Sequence, residues 1–390
     1  MELKMSNRYR DTAQLIQQTA PLDSMYCLST EALARQAKRF LEGFPGVIAY
    51  AVKANPTPEL VKELAANGVG TYDVASIAEI ALVRGIMPEA NLLYDNPIKA
   101  RSEIELAYNE YAVRSFCFDD ELEFEKLRSV IGDDSNVELT LRFKIPSNNA
   151  KYDLSAKFGA GEEEAIRLLQ KVQAAGYRCG LTFHPGSQCA KTGSYSDYIV
   201  TAANIVKRSG VAIETLNVGG GFPSRYIGEQ LPNLEEFFAA IGQSFNEHFD
   251  SSSCTLVCEP GRALVDSSIS LVTRVKHRRA DNTVFLNDGI YGGFMEQLFS
   301  PIVHPVRVFR NGEEHSGSEQ PFTVWGPTCD SLDKFAHQPL LPADVAEGDW
   351  IEFGLMGGYG SSTATEFNGF TSNRYVYVEK GFPYKAETLL

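Results

Sequence analysis

Val47-Ile48-Ala49-Tyr50-Ala51-Val52-Lys53-Ala54-Asn55 is a run of small and apolar residues that delivers a single lysine at its end. The uncharged stretch from Val47 to Val52 predicts a buried strand. A lysine held where such a strand stops is poorly hydrated, so its pKa is expected to fall and its amine to become a nucleophile toward carbonyls. The ordinary alternative is a strand-end lysine that snorkels to solvent.

Downstream of this stretch, short β-rich runs alternate with helix-like segments. Strands are predicted at 47–53, 69–74, 91–95, 113–118, 137–143, 180–184, 214–219 and 255–259. Segments such as 59–67, 76–84, 100–108 and 161–175 between them repeat apolar residues at the helical period. Each strand but the last is clearly trailed by helical sequence. Eight such units predict an α/β fold, a TIM-like (β/α)8 barrel, with a doubly wound sheet as the alternative. Beyond about residue 265 the helical period fades. Segments 268–275, 283–287, 306–310, 320–325 and 350–353 then predict an all-β domain.

The barrel reading bears on function, because sites in such folds gather at the C-terminal ends of the strands. Lys53, Asp73, Arg142, His184, Gly219, Gly220, Gly221 and Glu259 fall at or just after predicted strand ends. The three glycines offer bare backbone N–H groups to an anion. They lack the GxGxxG spacing of a dinucleotide fingerprint.

Composition narrows the class. With 390 residues, 44% hydrophobic and 22% charged, the chain has the make-up of a folded globular protein with room for two domains. A formal charge of −14 argues against nucleic acid or an anionic membrane as the main partner. Seven scattered cysteines without a CxxC pair suit a reducing compartment. The six histidines show no HxxxH or HExxH spacing, and no metal site is expected. No apolar run approaches the ~20 residues of a membrane span. Residues 1–20 are polar and lack an apolar signal core, so a cytoplasmic location is expected.

Four further motifs follow Lys53 in order: Gly219-Gly220-Gly221, Cys258-Glu259-Pro260-Gly261-Arg262, Trp325-Gly326-Pro327-Thr328-Cys329-Asp330 and Met356-Gly357-Gly358-Tyr359. With Tyr50–Asn55 they resemble the pyridoxal-phosphate-dependent ornithine, lysine and diaminopimelate decarboxylases of the barrel fold, over residues 26–370. The Trp-Gly-Pro-Thr-Cys-Asp signature is most similar to the ornithine and lysine enzymes. The chemistry fits such residues. Decarboxylation leaves electrons on Cα that no ordinary side chain can hold, hence a carbonyl cofactor as electron sink.

The resemblance implies a domain division: 1–28 joining the β domain, 29–265 as the cofactor-binding barrel, and 266–390 carrying the Cys-Asp motif. It implies that Lys53 anchors pyridoxal 5'-phosphate and that Glu259 keeps the ring nitrogen protonated by a charge-assisted hydrogen bond. It places Ser187, Gly219, Gly220, Gly221, Gly261, Arg262 and Tyr359 around the phosphate, His184 against the ring, and Arg142 and Asp73 near the cofactor. Pro185 stands where relatives more often carry an apolar β-branched residue. Glu79 matches less well, and a surface helix position is its alternative. Cys329 is implied as proton donor to Cα and Asp330 as a substrate ligand, both reaching the site of the neighbouring subunit in a homodimer. Lys157 and Asp333 match an intersubunit salt bridge of some relatives.

One departure bears on substrate. After Tyr291-Gly292, the resemblance implies an acid for the distal amine near Phe299 and Ser300, and neither is acidic. Glu296 is the nearest carboxylate. An unpaired buried ammonium is costly. The expected activity is decarboxylation of L-ornithine or L-lysine to putrescine or cadaverine, in polyamine biosynthesis. The alternatives are a diaminopimelate-like or modified amino acid, and, more remotely, an inactive regulatory homologue or a racemase.

Overall fold

The computed structural model describes residues 8–145, 157–299, 302–371 and 373–383. The chain divides into two compact units, one of Ala37–Pro223 and Leu231–Gly261, the other of Met1–Gln36, Ser224–Gln230 and Arg262–Leu390.

The first unit is a closed parallel barrel. Its strands are β1 (Val47–Ala51), β2 (Thr71–Val74), β3 (Asn91–Tyr94), β4 (Ser115–Phe118), β5 (Glu138–Arg142), β6 (Arg178–Thr182), β7 (Thr215–Asn217) and β8 (Thr255–Cys258). Closure is made by β8 against β1, with Val257 opposite Val47 and Cys258 opposite Ile48. That pairing excludes the doubly wound alternative, whose sheet has two free edges. The strands read as near-continuous apolar runs because both faces are covered, as in Leu92–Tyr94 and Phe116–Phe118.

Each of the first seven strands is followed by a helix, from Pro58–Ala66 to Leu234–His248. Local chemistry sets where they start. Asp120 accepts the Glu123 N–H to cap Glu121–Ile131, and Ser76 accepts that of Glu79 to cap Ile77–Ile86. Helix Glu162–Ala174 carries three glutamates in its first turn and Lys171 in its last, each favourable to the helix dipole. Its buried face is Ala165, Ile166, Leu168, Leu169 and Val172. Truncating either leucine to alanine should cost about 2–5 kcal/mol.

Several strands stop earlier than the apolar pattern suggests. β1 ends at Ala51, and residues Val52–Ala54 form a 3-10 turn that carries Lys53. β6 ends at Thr182 and β7 at Asn217, so His184 and Gly219 lie on the loops beyond. The apolar pattern cannot register these ends, because the loop residues that follow are also packed.

Among the described residues, the second unit holds a nine-stranded mixed sheet. Met25–Ser29 and Ile269–Arg279 lie near its centre, paired antiparallel, and Tyr375–Val378 adds in parallel to Met25–Ser29. The long strand runs four residues past the predicted 275, and the predicted 320–325 strand is split into Glu319–Pro321 and Thr323–Trp325. Helix Thr12–Thr19 buries Leu15 and Ile16 with Met25, Val272, Phe309 and Trp350. Among the described residues no helix is long and apolar enough to cross a membrane.

Candidate active site

The residues singled out from the sequence fall into two groups, one in each unit. In the barrel unit, Lys53 donates from Nζ to Asp73 Oδ2 at 2.7 Å. The 3-10 turn after β1 and the end of β2 bring them together, Ala51 being paired with Asp73. The lysine is not shut away from water, as its strand-end position suggested, for its side chain is 42% exposed. Asp73 is the buried partner. Burial pushes its carboxyl up to about 7, opposed by the Lys53 ammonium and aided by the Glu259 carboxylate.

Glu259 lies one residue past β8, buried, and receives the Asn217 carboxamide through Oε1. Asn217 also donates from Nδ2 to Asp95 Oδ2 at 3.2 Å, and its Oδ1 accepts the Gly219 N–H at 2.9 Å. Carboxylate oxygens of Asp73, Asp95 and Glu259 all lie within 4.8 Å of one another. Among the described residues, Oδ1 of Asp73 and of Asp95 are buried without a hydrogen-bond partner. Burial, then the charge of Glu259, raises the Asp95 carboxyl well above the usual range.

Beside this cluster the glycine loop approaches other backbone closely. A Cβ on Gly220 would sit 2.6 Å from the Glu259 carbonyl oxygen and 3.3 Å from His184 Nε2. Gly219 and Gly221 have φ of +68° and +89°, which favour glycine. The His184 Nδ1 accepts the Gly186 N–H at 3.0 Å, and the Gly221 carbonyl accepts the Cys189 N–H at 2.9 Å. Burial, with Arg142 and Lys53 nearby, lowers His184 well below the usual histidine range, so it is neutral at pH 7. Ser187 is half-buried on the same loop, and a Cβ on Gly261 would meet that of Ala54 at 2.9 Å. Arg142 ends β5 with its guanidinium 5.4 Å from the centre of the Phe158 ring. Glu79 is a helix-start residue, since its Oε2 accepts the Ala75 N–H at 2.7 Å.

In the second unit Arg262 is 5% exposed and gives both terminal nitrogens to Glu296. It also donates to the Tyr226 hydroxyl at 2.8 Å, which in turn donates to Asp266 at 2.6 Å. The Gly358 N–H reaches Asp266 at 3.0 Å, and Tyr359 lies with its ring centre 4.8 Å from the Arg262 guanidinium. Glu296 is therefore engaged with an arginine and not held open toward a substrate.

Tyr291 donates to Asp330 Oδ2 at 2.7 Å. The Leu332 N–H and then the Tyr291 hydroxyl hold the half-buried Asp330 carboxyl below its usual range. Cys329 is exposed next to it. Phe299 is 68% exposed, and Ser300 lies outside the described residues. Asp333 is buried within its own loop, accepting from the Ile290 N–H at 2.7 Å and the Thr328 hydroxyl at 2.7 Å. Lys157 is placed with Nζ 4.8 Å from the Phe158 ring centre.

Sequence reasoning passed over Asp95 and Asn217. Both stand at the C-terminal end of a barrel strand, so the rule that marked Asp73 also points to them. A lone Asp-Asn-Pro after β3 looks like an ordinary turn, and only the closed barrel sets it beside Glu259.

These residues fit pyridoxal phosphate. The cluster pairs an amine with acids that lack a full set of partners, and the glycine loop is a backbone cradle that any Cβ would fill. Comparison with known proteins agrees. The signature of the family described as pyridoxal-dependent decarboxylase, pyridoxal binding domain, matches residues 30–266. The chain is 33% identical to the lysine/ornithine decarboxylase of Selenomonas ruminantium, over 82% of this chain and 80% of that protein. It is 31% identical to antizyme inhibitor 2 of Xenopus laevis, over 96% and 85%. Its fold matches the crystal structure of a Vibrio vulnificus lysine/ornithine decarboxylase complexed with cadaverine, with a TM-score of 0.82, 28% identity, and coverage of 94% and 97%.

Proposed function

Because the chain belongs to the pyridoxal-dependent decarboxylase family, we propose that it removes the α-carboxyl group of L-ornithine or L-lysine, releasing the diamine. Its class is that of the pyridoxal-phosphate-dependent carboxy-lyases. The observation that carries the basic substrate is Asp330. Its carboxylate is half-buried, and the Leu332 N–H and Tyr291 hydroxyl keep it charged and ready to receive an ammonium group.

Bound pyridoxal phosphate supplies the sink for the electron pair left on Cα when carbon dioxide departs. Lys53 would carry the aldehyde through Nζ, with Asp73 orienting that amine. Glu259 would accept the N–H of the ring nitrogen, oriented for it by Asn217. His184 is neutral, so it adds a flat surface and no competing charge. Backbone N–H groups of Gly220 and Gly221 would hold the phosphate. The Cys329 thiol would return a proton to Cα, in a homodimer whose partner chain supplies Cys329 and Asp330. The diamine product fits polyamine supply in the cytoplasm.

A second reading is favoured by one observation: Glu296 is committed to Arg262, and Phe299 offers no charge. The distal part of the substrate would then carry no amine in need of a second acid. Carbon dioxide release from L- and D-ornithine, L- and D-lysine, arginine and diaminopimelate, with added cofactor, separates the readings. Strong turnover of L-ornithine or L-lysine is expected. Silence on both, with the yellow cofactor bound, would overturn the proposed substrate.

A further inference from the structure

The Asn217 carboxamide has a fixed orientation, because its Oδ1 accepts the Gly219 N–H at 2.9 Å. Its Nδ2 is therefore the donor that bridges Asp95 Oδ2, at 3.2 Å, and Glu259 Oε1. An amide N–H can hold a carboxylate but cannot take its proton. The bridge ties the two acids together and leaves their charge uncompensated.

Among the described residues, the groups around them do not supply enough positive charge. Lys53 is paired with Asp73. Lys99 gives its Nζ to the Asn96 carbonyl at 2.9 Å and lies 3.4 Å from Glu123. His184 is neutral, and burial keeps the Cys117 thiol protonated. Arg142 is oriented over Phe158. Three carboxylates within 4.8 Å of one another, with one directly bonded ammonium, cannot all be ionised in a buried place. Asp95 has the weakest support of the three: unlike Asp73 it accepts no ammonium, and its Oδ1 is buried without a hydrogen-bond partner among the described residues.

We propose that Asp95 is a positioning acid of the ring-nitrogen site: through Asn217 it holds Glu259 in place, and its unpartnered Oδ1 adds a second negative charge that a protonated ring balances and an uncharged ring does not. The proposal rests on the reading that Glu259 faces the ring nitrogen. The raised proton affinity of Asp95 agrees with it, since burial and the Glu259 charge favour its neutral form and a nearby cation opposes them. The same oxygens would also suit a divalent ion, and the test separates the two cations.

Cofactor-free wild type, Asp95→Asn, Asn217→Ala and Glu259→Gln are titrated with pyridoxal phosphate and with its 1-deaza analogue, in which the ring nitrogen is a carbon. Binding is followed by the absorbance of the lysine-bound cofactor. An opposite charge within a few ångströms is worth about one pKa unit or more. Asp95→Asn should thus weaken pyridoxal phosphate roughly tenfold and leave the analogue within about twofold. Unaltered analogue binding also shows that the site is folded. Asn217→Ala should repeat the selective loss, and Asp95→Glu should restore part of it.

Equal losses on both ligands, or none on either, overturn the proposal. If Glu259→Gln is selective and Asp95→Asn is not, the role of Asp95 alone falls. If neither is selective, the reading of Glu259 falls with it. A divalent ion retained by the purified holoenzyme and lost in Asp95→Asn would replace the proposal with a metal site.

Discussion

Glu296 holds the Arg262 guanidinium by both of its terminal nitrogens, while Tyr226 and Asp266 continue the same chain of bonds. A buried guanidinium that loses its carboxylate keeps its desolvation cost and loses the attraction that offset it. Glu296→Gln should therefore lower the stability of the cofactor-free protein by about 1–3 kcal/mol, Asp266 and Tyr226 retaining part of the support. Denaturant unfolding measures this. Unchanged stability with a raised KM for ornithine alone would show that Glu296 serves the substrate.

Lys53 donates to Asp73, and the proposed function makes this the pair for cofactor attachment. Lys53→Ala should abolish the visible absorbance of the bound cofactor and reduce turnover to background. Asp73→Asn should keep the absorbance but slow attachment, because the amine loses its orienting acid. Stopped-flow mixing of cofactor-free protein with pyridoxal phosphate resolves that difference.

Glu259→Gln keeps the shape of the side chain and removes its charge. The expected loss is about 10²–10³-fold in kcat with an unchanged unfolding curve. Equal rates would mean that the ring nitrogen is governed by another group.

Cys329 is exposed on its loop, with its N–H bonded to Asn368 at 3.0 Å. Cys329→Ala should slow product formation or send the proton elsewhere than Cα, giving an aldehyde and the amine form of the cofactor. Mixing Cys329→Ala chains with Lys53→Ala chains should restore activity if sites are shared between subunits. No recovery after subunit exchange would refute sharing.

Asp73 sets a pH dependence whose sign follows from its shift. Its carboxyl titrates near 7 in the folded protein against an ordinary 3.8, so between those values the folded state binds more protons than the unfolded one. Stability of the cofactor-free protein contributed by this group therefore falls as pH rises from about 4 to about 7 and is level above that. Asp266, raised to about 6, acts in the same direction. His184 acts in the opposite one, its neutral form being favoured on folding, so it costs stability as pH falls below 6.5. The difference in unfolding midpoint between wild type and Asp73→Asn across this range isolates the first effect, and a flat difference would contradict it.

The alternation of apolar runs with helical segments was enough to read the barrel, because each βα unit is a local pattern and eight of them leave few ways to bury every strand. The strand-end rule marked Lys53, Asp73, His184 and Glu259 for the same reason, since it needs only the end of each run. Strand ends themselves were less legible. Phe183 and Val218 are as buried as strand residues, so apolarity does not mark where pairing stops. Asp333 shows a different limit. In the sequence it is one acid in an acidic loop, and only the folded loop reveals that Ile290 and Thr328 already use its oxygens.

Sequence by itself determined the fold class and the family, and singled out Lys53 and Glu259 as the amine and acid to test, all of which depend on residue type and order. Tertiary structure alone decided the partners: Lys53 with Asp73, Asn217 between Asp95 and Glu259, and Arg262 with Glu296. Asp95 and Asn217 stand 122 residues apart in the chain, and no local pattern encodes a bond over that distance. The proton affinities of Asp73 and Asp95 follow from burial and neighbouring charge, which exist only once the barrel has closed.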